Sequence, residues 1–397
     1  MPGWRLGGCA RLDGVMNDDQ RQRAEACVDL DAIRHNLGLL AGRAARSGAE
    51  TMAVVKADGY GHGVLPVAHA ALASGASWLG TCSLAEALEL RRAGITARLF
   101  SWLDSPDVDF AAAIVADIDV SVNSPGELTR VVRAAERIGA RARVHLKADT
   151  GLWRNGCPPQ QWPELAAAAA EAPEIDVVAV WSHLACADEP GHPSIDVQAK
   201  RFGHAYDVAV RAGLRPMRHL ANSAATLTRP DLHFDLVRPG IAMYGLNPAP
   251  TADDLRPAMT VRSQVVLTKR ITADESVSYG HTWTAERDST LALVPMGYAD
   301  GVPRSLSGRM DVWLDGKRRP VVGRVCMDQF VVDCGDEEPR LGAEVVLFGD
   351  GSSGAPTARE WADKLETIDY EIVTGMYRPR VRRTYRGEAP GDSEVRQ

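Results

Sequence analysis

The chain has 397 residues, of which 45% are hydrophobic and 24% charged, with a formal net charge of −7. That length exceeds one small domain and predicts two, in a soluble globular chain; the negative balance argues against nucleic acid or an anionic membrane as partner. The cysteines (Cys9, Cys27, Cys82, Cys157, Cys186, Cys326 and Cys334) are odd in number and form no Cys-x-x-Cys pair, so free thiols in a reducing cytoplasm fit better than a disulfide frame or a zinc site.

Residues 1–25 are Gly-rich and then polar, and are expected to form a flexible extension. Met16 as the true start and a natural extension both remain open. No continuous apolar stretch precedes a small-residue cleavage site, so no secretory signal is expected, and no apolar run reaches the roughly 18 residues of a membrane span. Cys27–Leu30 reads as a strand that leads into the next domain and pairs with it.

From Asp31 to Pro257, apolar runs alternate with amphipathic stretches. Strands are expected at Met52–Val55, Trp78–Thr81, Ala97–Ser101, Ile118–Val122, Ala142–Leu146, Val177–Trp181, Met217–Leu220 and Asp235–Val237. Between them, segments such as Leu84–Ala93 and Glu127–Ile138 repeat apolar residues every three or four positions, as helices do. Asp31 is expected to cap the first helix and Ser83 the one bearing Glu86. Eight strand–helix units in one stretch predict an α/β fold, a (β/α)8 barrel over 26–257; a doubly wound sheet is the competing arrangement.

After Pro257 the alternation stops. Val261–Ile271, Leu291–Pro295, Asp311–Leu314, Pro320–Val325, Phe330–Asp333 and Glu344–Phe348 read as strands, with Asp315-Gly316 as a hairpin turn. A mostly β domain is expected over 258–385, and a loose tail over 386–397.

Barrel active sites form where side chains from different strands meet at the strands' C-terminal ends. Lys56, Lys147, His183, the pair Asn222 and Ser223, and Arg238 each follow a predicted strand, so they converge on one mouth. A lysine at a strand end beside an apolar wall can lose its charge and act as a nucleophilic amine. Alone, it is far more often a surface lysine closing a strand. The glycines at 59, 61 and 63 make a tight loop able to present Tyr60 and His62 to a ligand. His192 and His204 read as solvated, Trp153 and Trp181 as packing residues, and Cys326 is given no role.

Nine segments together resemble the alanine racemase family: AVVKADGYGHG (53–63), LKADTGLWRNG (146–156), WSHLACAD (181–188), HLANSAAT (219–226), FDLVRPGIAMYG (234–245), VSYGHTW (277–283), GYADGVPR (297–304), GRVCMDQ (323–329) and MYRPRV (376–381). They occur in the family's order from about Ala26 to Arg383. Asp58-Gly59 and Trp153 depart from its pattern at flanking positions, which bears on substrate tuning.

The resemblance implies a cytoplasmic homodimer with shared active sites that interconverts L- and D-alanine by a two-base mechanism, supplying D-alanine for cell-wall peptidoglycan. Lys56 would hold pyridoxal phosphate as an aldimine and act as one base. Tyr298, from the partner subunit, would be the other, activated by His183 beside the cofactor ring. Arg238 would face the pyridine nitrogen; being permanently charged, it leaves that nitrogen unprotonated and the ring a weaker electron sink. Tyr60, Ser223, Tyr377 and the backbone amides of Gly240 and Ile241 would hold the phosphate, with Asn222 beside them. Ser223 and Gly240 follow the last two barrel strands, where barrels commonly bind phosphate. Arg154 would reach the cofactor's phenolic oxygen and the substrate carboxylate, and the Met327 amide, beside Asp328, would complete that carboxylate site from the partner. Lys147 matches a position carbamylated in many family members, where the anion would orient Arg154. Tyr298 and Tyr377 would narrow the entrance to an alanine-sized substrate.

Three other readings are weighed. A barrel decarboxylase of basic amino acids would place an acid, not Arg238, at the pyridine. A non-catalytic pyridoxal-phosphate carrier lacks the β domain. A racemase of broader substrate range, or one serving a biosynthetic or resistance pathway, stays open.

Overall fold

The computed structural model describes residues 23–249 and 251–387. The chain opens with β1 (Glu25–Asp29) and α1 (Leu30–Arg46), then β2 (Glu50–Val54), α2 (Lys56–Tyr60) and α3 (Val64–Leu72). There follow β3 (Trp78–Thr81), α4 (Leu84–Arg92), β4 (Arg98–Ser101), α5 (Phe110–Val115), β5 (Ile118–Val122), α6 (Pro125–Ile138), β6 (Ala142–Lys147) and α7 (Trp162–Glu171). Next come β7 (Ile175–Trp181), α8 (Pro193–Arg211), β8 (Met217–His219), α9 (Ser223–Thr228) and β9 (Leu236–Val237).

Strands β2 to β9 form one parallel sheet in the order β8-β7-β6-β5-β4-β3-β2-β9, a nearly closed (β/α)8 barrel rather than a doubly wound sheet. Its seam is bridged by the Asp235 N–H donating to the Arg218 carbonyl at 3.1 Å and the Arg238 N–H to Ala221 at 2.9 Å. Strands covered on both faces carry apolar runs rather than alternation, and β3 and β5 are buried at every position. Several helices start where the sequence provides a side-chain cap. Ser83 and Glu86 satisfy each other's backbone amides at α4, and Ser124 caps α6. At α1 the cap is Asp29, not Asp31: the chain leaves its extended conformation two residues earlier, and the Asp29 carboxylate accepts from the Asp31 and Ala32 amides.

The second domain holds β10 (Met259–Gln264), β11 (Leu267–Ile271), β12 (Ser276–Val277), β13 (Trp283–Thr284), β14 (Ser289–Val294), β15 (Asp311–Leu314), β16 (Lys317–Val322), β17 (Phe330–Asp333) and β18 (Glu344–Phe348). It ends with α10 (Ala358–Leu365), α11 (Asp369–Gly375) and β19 (Arg382–Arg386). Its large sheet runs β11-β14-β17-β16-β15-β18-β10-β1-β19. Thus β1 does not join the barrel as its sequence position suggests. It lies antiparallel to β10 and parallel to β19, because the barrel, bridging its own seam, offers no edge. The strand expected over Val261–Ile271 is two strands. Val265 hydrogen-bonds to Ala343 and the very next residue, Val266, to Leu293, so the chain changes neighbours there without any turn residue. Asp315 and Gly316, both at positive φ, make the two-residue turn between β15 and β16.

Residues 1–22, most of the expected extension, and 388–397 of the expected tail lie outside the described residues. Arg23 is part of the fold: its guanidinium binds the buried Asp300 carboxylate at 3.0 Å. One hydrophobic core runs from the barrel's outer layer into the β domain, joining Leu37 and Tyr244 to Val261, Phe348 and Trp361. A second cluster, Met52, Trp78, Phe100, Trp181 and Leu236, belongs to the barrel strands alone. Among the described residues, no helix is long and apolar enough to cross a membrane, and the six cysteines are unpaired.

Candidate active site

Lys56 leaves β2 into a left-handed turn. Ala57, Asp58, Gly59 and Tyr60 all have φ between 51° and 62°. Left-handed backbone costs a residue with a Cβ roughly 1–2 kcal/mol, so the surroundings must hold this turn. They do. The Ala57 amide donates to the Glu86 carboxylate at 2.7 Å, and the Val64 amide to Asp58 at 2.7 Å. Arg383 of β19 ion-pairs with Asp58. His62, fully buried, sets its Nδ1 2.9 Å from the Tyr60 carbonyl; burial pulls it down to about 4, so it is neutral. Burial also draws the Lys56 amine below its ordinary value, with Arg154 reinforcing and Cys82 and Glu86 opposing. A share of neutral amine is what nucleophilic or base chemistry requires.

Below the lysine lies a cradle of donors. The amides of Gly240 and Ala242 point at Ser223 Oγ, at 2.8 and 3.3 Å, with buried Ile241 between them. A Cβ on Gly240 would sit 2.5 Å from the Tyr60 hydroxyl, so only glycine lets the phenol approach this backbone. Asn222 commits its side chain elsewhere: it caps α9 by accepting from the Ala225 amide at 3.1 Å.

The rear wall is cationic. The buried Arg238 donates from Nη2 to the Ser182 carbonyl at 2.8 Å, with His183 Nδ1 at 3.3 Å, and its Nη1 lies 3.0 Å from His219 Nδ1. Burial pulls Arg238 down to about 9, still charged at neutral pH. The same burial, with Arg238, Lys147 and Arg154 nearby, holds His183 well below its ordinary value. Lys147 is buried, donates to Asn155, and lies over the Trp181 ring with Nζ 4.0 Å from its centroid. Trp181 therefore does more than pack, since Arg238 also sits 5.0 Å from its ring. Trp153 is not a packing residue: it is 69% exposed, at positive φ, beside the exposed Arg154.

The β domain brings two further loops together. Gly297 lies against the turn at Cys326-Met327 so closely that a Cβ would meet the Cys326 carbonyl at 2.3 Å. Asp300 ties this contact down, accepting from Gly297 and pairing with Arg23 and Arg380. Met327 is half-exposed on this edge. Tyr377 is also exposed and lies under the Arg383 guanidinium, which joins it to the Lys56 turn. Tyr298 is 39% exposed and lines a hollow formed by Leu365, Glu371 and Arg378 of its own chain. Tyr279, which the sequence reading passed over within VSYGHTW, is 71% exposed. It rides on a turn with Ser278 and His281 at positive φ, anchored by the Ser278 hydroxyl on the Arg324 carbonyl at 2.8 Å. His145, His219 and Asp119 were also passed over; the available signal was a polar residue within a strand of the parallel sheet.

A lysine with a suppressed charge, an anion cradle and a cationic wall at the mouth of a barrel, followed by a β domain that presents phenols, define a two-domain barrel enzyme built for amine chemistry. Comparison with known proteins narrows this. Residues 28–248 match the alanine racemase N-terminal domain and residues 258–385 the alanine racemase C-terminal domain. The chain is 56% identical over 375 residues to an alanine racemase of Salinispora arenicola, covering 93% of this chain and all of that one. It superposes on the alanine racemase of Streptomyces coelicolor with a TM-score of 0.91 at 50% identity, over 94% of this chain and 100% of that one. For the racemase of the D-cycloserine producer Streptomyces lavendulae the values are 0.90 and 49%, over 92% and 98%. The chain belongs to the alanine racemase family.

Proposed function

We propose that this protein interconverts L- and D-alanine as a cytoplasmic homodimer with pyridoxal phosphate as resident cofactor, supplying D-alanine for peptidoglycan. The observation that carries the cofactor is the cradle at Ser223, Gly240 and Ala242 below Lys56. A hydroxyl and convergent backbone amides, with Tyr60 pressed against Gly240, suit a phosphate dianion. Lys56 would hold the cofactor's carbonyl carbon; Tyr60, Ser223, Gly240, Ile241 and Tyr377 its phosphate; Arg238 its pyridine nitrogen; and Arg154 its phenolic oxygen. Asn222 contributes by fixing Ser223 at the start of α9. When bound, pyridoxal phosphate draws electrons from the substrate's α-carbon and makes its proton removable.

The protein's own groups then handle the proton. Lys56 serves one face of the α-carbon, and a phenol from the partner's β domain serves the other, so a proton leaves one side and another is delivered from the opposite side. The sequence points to Tyr298 for that phenol; exposure favours Tyr279. A side chain that serves the partner's site must be free of its own subunit. Tyr279 is 71% exposed on a strained turn, whereas Tyr298 is 39% exposed. Met327, on the same edge, would present its amide to the substrate carboxylate with Arg154. Support for the dimer comes from the exposed aromatic residues Trp153, Tyr279 and Tyr377. Support for the cytoplasm comes from the free cysteines.

The test is D-alanine formation from L-alanine by purified protein with added pyridoxal phosphate, read by chiral chromatography, with serine and lysine as competing substrates. Cofactor binding without racemisation would overturn the proposal in favour of a carrier. Faster turnover of serine or lysine would replace the substrate. D-alanine auxotrophy on gene deletion is the expected cellular result.

Lys147 carries a separate expectation. Burial, then Arg238 and Arg154, pull it down to about 7. Its amine is therefore largely neutral at about pH 8 and able to add to carbon dioxide. The new N–C bond forms with loss of one proton and leaves a carbamate anion among these cations. Protein equilibrated with 13C-bicarbonate at about pH 8 should show a carbamate resonance that disappears well below pH 7, where the ammonium form takes over. A signal absent at both pH values, or unchanged in Lys147→Ala, would remove the carbamate.

A further inference from the structure

The barrel interior holds a run of polar groups that the proton transfers above do not use. Asp119 stands near the start of β5, His145 on β6 and His219 at the end of β8, all enclosed. Arg238 Nη1 lies 3.0 Å from His219 Nδ1; His219 Nε2 lies 2.9 Å from His145 Nδ1; His145 Nε2 lies 3.2 Å from Asp119 Oδ2. At the far end Arg98 and Arg143, both partly exposed, pair with Asp119 at 2.9 and 2.5 Å. Both rings are held in place. His145 stacks on Phe100 with centroids 4.1 Å apart and 18° between planes, and His219 lies parallel to Trp181 at 5.5 Å and 9°.

Counting donors assigns every hydrogen. A guanidinium only donates, so His219 accepts at Nδ1 and carries its hydrogen on Nε2. That N–H donates to His145 Nδ1, so His145 in turn carries its hydrogen on Nε2 and gives it to an ionised Asp119. Any other assignment sets two donors or two acceptors against each other in a buried core, at a cost of roughly 1–3 kcal/mol. The sequence of bonds thus runs one way, from the catalytic mouth toward the barrel's opposite end.

We infer that His219, His145 and Asp119 are positioning residues for Arg238: their directional hydrogen bonds, anchored on the Asp119 carboxylate, fix the guanidinium where the proposed cofactor's ring nitrogen is held. The inference rests on the reading of Arg238 given under Proposed function. The electrostatics agree with the geometry. Burial depresses both histidines, so they are neutral links. Burial opposes the charge on Asp119, but the His145 hydrogen bond and the Arg143 and Arg98 guanidiniums outweigh it and hold the carboxyl below its usual range. Arg238 also has His183 Nδ1 at 3.3 Å, and it bears with Arg154 on Lys147, so among its partners Asp119 is the carboxylate reached through a run of hydrogen bonds. A carboxylate touching Arg238 directly would compete with a ring nitrogen for the guanidinium. Two neutral imidazoles place the countercharge two rings away.

The experiment is 15N NMR of the holoenzyme and the cofactor-free protein labelled at histidine, from about pH 5.5 to about pH 9. His145 and His219 should both be neutral with the hydrogen on Nε2, unchanged over that range. In Asp119→Asn the single amide oxygen cannot serve His145, Arg98 and Arg143 together. If the amide nitrogen turns to His145, both hydrogens move to Nδ1 and His219 then opposes Arg238. The variant should show altered His219 ring-nitrogen shifts, a cofactor absorption that becomes pH-dependent, and a kcat reduced roughly 10- to 100-fold with KM little changed. His145→Phe keeps the stack on Phe100, cuts the run without touching Asp119, and should give the same signature if Asp119→Asn does not fold. Wild-type His219 with its hydrogen on Nδ1 overturns the inference. So do variants whose ring-nitrogen shifts, absorption and kcat match wild type. Failure to bind pyridoxal phosphate would instead overturn the proposed cofactor, while the cofactor-free spectra still decide the hydrogen-bond order.

Discussion

Lys56→Ala should lower racemisation at least about 10⁴-fold and leave the protein folded, with a thermal midpoint near neutral pH no lower than wild type. The rate follows from removing the one amine that the β2 strand end delivers above the Ser223–Gly240 cradle. The stability follows from linkage. Folding pulls the Lys56 amine below its ordinary value, chiefly by burial, so the charged form is disfavoured in the native state. That penalty is fully present below the folded pKa and fades as pH rises from there to the unfolded value. A neutral side chain escapes it. Racemisation measured beside calorimetry of the cofactor-free protein separates the two effects. Lost activity with a large drop in the midpoint would mean that Lys56 mainly supports the left-handed turn. Retained activity would sink the proposed mechanism.

Tyr279→Phe should reduce kcat roughly 10²- to 10⁴-fold in both directions, the usual range for a general acid–base group. Tyr298→Phe should cost less than about 10-fold, since its ring is the less exposed of the two, 39% against 71%. The reverse order would return the assignment to Tyr298. Sharing between subunits has its own readout. Lys56→Ala and Tyr279→Phe proteins, each inactive alone, should regain activity when dissociated and reassembled together. Each mixed dimer then holds one intact site, giving about a quarter of wild-type activity after random pairing. No recovery would place amine and phenol in the same subunit.

The barrel was legible because its strands are short apolar runs between strongly patterned helices: β3 and β5 begin and end where the sequence puts them. The stations Lys56, Lys147, His183, Ser223 and Arg238 were legible for the same reason, as each follows such a run. The second phenol was less so. VSYGHTW and GYADGVPR both present a tyrosine beside glycine, and nothing local tells which ring is covered by α10 and α11. His145 and His219 were hidden inside strands whose neighbours predict burial but not a partner.

The sequence by itself determined the order of elements, a barrel followed by a mostly β part, and the lysine–glycine turn, because each depends on the spacing of residues within a few turns of chain. Only the tertiary structure decided that β1 leaves for the far sheet, that Val265 and Val266 serve different neighbours, and which way the hydrogens run from Arg238 to Asp119. Those outcomes depend on which edge is open and which donor meets which acceptor across the fold. Such choices are made between segments far apart in sequence, where local periodicity carries no information.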